Sequence, residues 1–110
     1  NSQTAVELVR AAESENLYLY WQPNPDLTTS QISAELLEVL PFVHTVHTFH
    51  WDSKGTKLPL ADGTELWLER MAIIKKANPD CPFLLEFVQN DSLESFYRDA
   101  EILKKWVLQI

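Results

Sequence analysis

Apolar residues along this chain switch repeatedly between helical spacing and short continuous runs. Over residues 4–15, TAVELVRAAESE, Val6, Leu8 and Val9 alternate with charged and small residues, which predicts a helix with Thr4 as its N-cap. Residues 16–22, NLYLYWQ, form an aromatic and leucine-rich run ended by PNPD, the pattern of a buried strand followed by a turn. Residues 28–42 return to helical spacing, with Ile32, Leu36, Val39 and Leu40 on one face and a stop before Pro41. VHTVHTFHW, residues 43–51, is dominated by strand-forming types. A polar loop over 52–63 carries both glycines of the chain. A helix is predicted over 64–78 with Thr64 as N-cap, a short apolar strand over 82–89, and a last helix over 91–109 capped by Ser92. Leu93, Phe96, Ala100, Leu103 and Trp106 would form the apolar stripe of that last helix.

The resulting order, α-β-α-β-α-β-α, places nearly continuous apolar strands between helices. That is the signature of a parallel α/β sheet built from βαβ crossovers. A three-stranded parallel sheet leaves both edges open and its helices only partly covered. The expectation is therefore a partial, half TIM barrel: residues 1–110 as a single domain forming the C-terminal half-barrel fragment of a longer (β/α)8 protein, since a whole barrel takes about 250 residues.

Composition narrows the function. The 110 residues carry a formal charge of −7 with no block of Lys and Arg, which argues against a nucleic-acid partner, whose phosphates are bound mainly by basic side chains. The single Cys81 cannot form an intramolecular disulfide and points to a reducing, cytoplasmic compartment. No apolar run reaches the roughly 20 residues of a membrane span, and no signal-peptide pattern is present.

In an α/β barrel the chemistry sits at the C-terminal ends of the strands. Three predicted strand ends carry polar groups against the apolar pattern: Gln22, His47 and Glu86. Glu86 lies among five apolar neighbours, and burying it without a metal, a cation or a proton would be costly. All three histidines fall within residues 44–50. Strand alternation puts His47 on one face with Val43, Thr45 and Phe49, and leaves His44 and His50 on the other, so the three cannot ligate one ion from a regular strand. His44 is expected to pack against helices, and His50 to contact substrate from the strand end.

The strand VHTVHTFHWD, the segment LPLADGTELW leading into a helix, and the strand FLLEFVQND resemble, in order and spacing, the C-terminal half of the sugar isomerase/epimerase barrels. These belong to the xylose-isomerase-like superfamily, which also contains DNA-repair enzymes of the endonuclease IV type. The resemblance implies that His47 is the metal-binding histidine ending the seventh strand. It implies that Glu86 is the eighth-strand glutamate that binds the metal and exchanges the substrate's α-proton. Lys54 or Lys57 would reach a substrate phosphate or hydroxyl, and Trp21, Phe49 and Trp51 could wall an apolar sugar face. The chain departs from the family at the sixth strand, where Gln22 stands in place of a ligating Asp and Pro25 in place of a His. An anionic ligand is thereby lost, and a hard ion such as Mn²⁺ or Mg²⁺ would bind less tightly.

The leading expectation is a metal-dependent isomerase or epimerase of a sugar or sugar phosphate, working by glutamate-mediated proton transfer and inactive as this fragment alone. The alternative is a non-catalytic sugar- or polyol-binding barrel with a degenerate metal site. DNA repair is disfavoured by the acidity and by the ligand count. Open sheet edges predict a homodimer or other self-association.

Overall fold

The computed structural model describes residues 2–11 and 19–110. Its elements run α1 (Ser2–Ala11), β1 (Leu19–Trp21), α2 (Thr29–Val39), β2 (Val43–Thr48), α3 (Thr64–Ala77), β3 (Phe83–Leu85) and α4 (Leu93–Gln109). Short 3₁₀ turns over Leu40–Phe42, Leu60–Gly63 and Gln89–Asp91 precede β2, α3 and α4. The strands form one open, all-parallel sheet in the order β1-β2-β3. This is a mixed α/β architecture with the element order expected from the apolar pattern. The predicted residues 12–15 of the first helix and 16–18 of the first strand lie outside the described residues.

Local chemistry sets the boundaries. Thr28 begins α2 through a reciprocal capping box: its hydroxyl accepts from the Gln31 amide while the Gln31 side chain accepts from the Thr28 amide. Pro41 stops α2 at Val39 and falls in the following 3₁₀ turn. Ser92 caps α4 as predicted, accepting from the Ser95 amide at 3.1 Å. Two predicted caps are displaced. Thr4 lies inside α1, which begins at Ser2. Gly63 takes the N-cap of α3, because the 3₁₀ turn brings Thr64 into the helix, where its hydroxyl donates to the Ala61 carbonyl.

The helices cover one face of the sheet. Trp21, Val46, Leu36, Val39, Trp67, Met71, Ile74, Leu103 and Trp106 are all buried, and Leu19, Phe83 and Leu85 pack against them. Register places Tyr20 beside Thr45, and His47 beside Leu84, on the opposite face. On that face Tyr20 and Leu84 are exposed, 69% and 47% respectively. A parallel sheet is ordinarily covered on both faces; among the described residues this face is partly bare, open at Tyr20 and Leu84, while Thr45 between them is buried.

The stripe predicted for α4 is rotated. Leu93 and Phe96 are exposed, and the residues buried beside Leu103 and Trp106 are Ser95 and Asp99. Asp99 turns inward because its carboxylate accepts from the Leu60 amide at 3.3 Å and from Arg98 Nε at 3.0 Å. Among the described residues, no helix is long and apolar enough to cross a membrane. Cys81 is a free, buried thiol that donates to the His44 carbonyl, and burial pushes its pKa up, the opposite of what a nucleophilic thiolate requires.

Candidate functional site at the strand ends

The sheet register explains why Gln22, His47 and Glu86 meet. Trp21 pairs with Val46, so Gln22, one step beyond β1, comes level with His47 on β2. His47 pairs with Leu84, and Glu86 lies two residues further along the same face. Glu86 follows the last residue of β3, yet its amide still donates to the Thr48 carbonyl at 3.2 Å, which extends the ladder far enough to hold it in place. Three adjacent strands thus deliver one polar side chain each to one spot at their C-terminal ends.

His47 Nδ1 lies 3.3 Å from Gln22 Oε1 and 3.2 Å from Glu86 Oε2. Both neighbours are acceptors, so Nδ1 carries the proton of the ring and leaves Nε2 with a lone pair when the imidazole is neutral. Tyr20 packs its ring edge-on against His47, with centroids 5.5 Å apart, and steadies the imidazole. The His47 and Glu86 side chains retain 24% and 32% of their exposure, open enough to touch a ligand.

Glu86 is therefore not buried among its apolar sequence neighbours. Strand β3 is only three residues long, and Glu86 emerges past its end on the bare face. Its partner is a histidine rather than a lysine or arginine.

With Nδ1 deprotonated, and so no longer donating to Gln22 and Glu86, the same three atoms would suit a divalent ion in spacing. Bonds of about 2.1 Å to one ion place neighbouring donors about 3 Å apart, close to the two separations at His47. In charge the set is thin: one carboxylate, one imidazole and one neutral amide. Among the described residues no group of three His, Cys, Asp or Glu side chains could hold a metal ion. The trio fits part of a coordination sphere, with the remaining positions left to water or substrate.

The other predicted contacts lie along the segment after β2. His50 is half-buried and sits so close to Gly63 that a Cβ there would stand 2.7 Å from its Nδ1. Burial lowers the pKa of His50 below 6.5, with Arg70 adding to the shift and Asp62 and Asp52 opposing it. Trp51 bridges to Lys57 across a tight turn. In that turn Asp52 accepts from the Lys54 and Thr56 amides, which holds its carboxylate below the usual range, and Gly55 takes a φ of +80°.

Lys54 is exposed at the turn. Lys57 is committed to Asp91 at 2.6 Å and lies over the Phe87 ring. Phe49, Trp51 and Phe87 form an aromatic cluster with centroids 4.9 to 5.3 Å apart. Trp21 instead packs edge-on against Trp67 in the core. His44, expected against the helices, is exposed and hydrogen-bonds to the Thr45 hydroxyl at 2.8 Å. Both His50 and Trp51 line a small cavity with Arg70, a residue that the apolar pattern did not single out.

No protein-family model, curated protein or solved structure matches this chain.

Proposed function

We propose that the chain carries the strand-end portion of a sugar isomerase or epimerase site, in the half-barrel arrangement that its motifs resemble. The observation that supports this reading is the convergence of Gln22, His47 and Glu86 at the C-terminal ends of three adjacent parallel strands. The bare face on which they stand corresponds to a barrel interior in that reading.

Glu86 is the base. Its carboxylate is partly exposed and oriented by the imidazole N–H of His47, so it can take a proton from a carbon next to a carbonyl and return it to the neighbouring carbon. His47 holds the carboxylate and supplies a second donor atom. Gln22 adds an uncharged oxygen, and its neutrality favours the alternative of a sugar- or polyol-binding barrel without catalysis. A divalent ion such as Mn²⁺ or Mg²⁺, held by His47 and Glu86 with Gln22 as a weak third donor, would polarise the substrate's carbonyl and hydroxyl oxygens. His50, Trp51 and Lys54 are the proposed substrate contacts, and the unpaired Cys81 supports a reducing, cytoplasmic setting.

Calorimetric titration of Mn²⁺ into the protein, with Glu86→Gln as control, tests the proposal. Binding that is lost in the variant supports an ion-assisted site. A folded protein that binds no Mn²⁺ counts against an ion site built on Glu86 in this chain and favours the binding-barrel alternative.

A further inference from the structure

Arg70, in the middle of α3, is only 8% exposed. Its guanidinium stacks over the Trp67 ring, with Cζ 5.3 Å from the centroid. Among the described residues it forms no ion pair and no hydrogen bond. Glu69, its neighbour on the helix, supplies the one favourable carboxylate field that it feels appreciably, and burial lowers its basicity. A guanidinium stays charged in proteins and carries five N–H donors. Its nitrogens are not among the buried polar atoms left without a partner, so they open onto solvent at the cavity, where water or a ligand can accept from them.

The surroundings show where the acceptor belongs. Arg70 lines a half-open cavity of about 170 Å³ between the β1–α2 turn, the end of β2 and α3. At roughly 30 Å³ per water molecule, this holds about five or six waters, or an organic acid of a few carbons. Pro25, Phe49 and Leu66 give it apolar walls. Trp51, another wall residue, has an indole N–H that is buried and has no partner. The cavity therefore combines apolar and polar wall residues with one cation that has no carboxylate partner among the described residues. Asp52 is the one carboxylate in the wall, and its Oδ1 is engaged by two backbone amides.

We propose that this cavity binds a small monocarboxylate, with its carboxylate on the Arg70 guanidinium and its short apolar tail against Pro25 and Leu66. Guanidinium and carboxylate match as a two-bonded pair. A phosphate dianion fits less well, because Asp52 in the wall and the overall charge of −7 oppose a double negative charge more than a single one. Gln22, His47 and Glu86 do not line this cavity, so the inference needs no catalytic role for them, although His50 and Trp51, the substrate contacts proposed above, stand in its wall.

The test is thermal denaturation and calorimetric titration of the wild-type protein with butyrate, inorganic phosphate and butan-1-ol at equal concentrations. Butyrate is expected to bind, to raise the melting temperature and to shift the Trp51 indole N–H resonance, while the other two do neither. Arg70→Gln is expected to weaken butyrate binding about tenfold or more, the loss of a charge-assisted hydrogen bond. Because that variant also removes a packed side chain, the comparison of butyrate with butan-1-ol in the wild type decides the matter without it. Equal stabilisation by butan-1-ol, preferential binding of phosphate, or no response to butyrate would each overturn the proposal.

Discussion

His50 shows how a single residue can be legible in identity and illegible in state. Its place at the end of an apolar strand marked it as a candidate contact, and the structure does bring it to a cavity wall beside Arg70. Its protonation depends on packing against Gly63 and on charges contributed by the turn and by α3, none of which adjoin it in sequence. Arg70 is the extreme case. In the run LERMA an arginine between charged and apolar neighbours looks like a solvated helix position, and only the stacking on Trp67 buries it. The state of His50 has a measurable consequence. Burial disfavours the imidazolium, so its folded-state pKa lies below its ordinary 6.5. The unfolded chain then binds more protons in that window, and the stability tied to neutral His50, complete above pH 6.5, is lost as pH falls through the lower folded value. Urea unfolding at about pH 7.5 and about pH 5.5 should therefore show wild type losing ground to His50→Gln on acidification. A difference between the two proteins that stays constant with pH would mean that His50 is not held neutral by its surroundings.

At the scale of elements, what was readable in the sequence was whatever depends on neighbours along the chain. Element type and order follow from apolar spacing, Pro41 stops α2, and Ser92 caps α4 through its own third neighbour. The meeting of Gln22, His47 and Glu86 was readable for the same reason, because each is a polar residue at or near the C-terminal end of a strand. The rotation of α4 was not. Its most hydrophobic stripe starts at Leu93 and Phe96, but the helix is set by Asp99, whose carboxylate binds the backbone of a turn 39 residues away. Apolar spacing carries no information about such a distant backbone donor. This assigns Asp99 a structural role that Asp99→Ala tests. The variant leaves the Leu60 amide buried without an acceptor and removes the carboxylate partner of Arg98, which keeps only Gln89 among the described residues, and it should cost about 2 to 3 kcal/mol in chemical denaturation. A loss below about 0.5 kcal/mol, the range of ordinary surface changes, would show that α4 is anchored by Leu103 and Trp106 alone.

For the whole molecule, the open sheet is the consequential feature. Among the described residues strand β3 has no neighbour on its outer side, and beside it Phe83, Leu85, Leu103, Val107 and Leu108 line a shallow apolar groove of about 460 Å³. Leu108 is 87% exposed there, and Leu84 stands on the bare face one residue from the groove. An uncovered strand edge next to apolar surface favours pairing with another strand and its helix, and a second copy of this chain supplies both. We therefore predict self-association through the β3 edge and the α4 groove. Sedimentation velocity across the accessible concentration range should show the weight-average mass rising with concentration, and Leu108→Asp should suppress the rise. Leu108 contributes almost nothing to the monomer core, so the substitution should leave the melting behaviour of the dilute protein unchanged. A protein that stays monomeric at every concentration would refute the association. It would also remove one reason for treating the sheet as part of a larger barrel, because the open edge would then be tolerated as it stands.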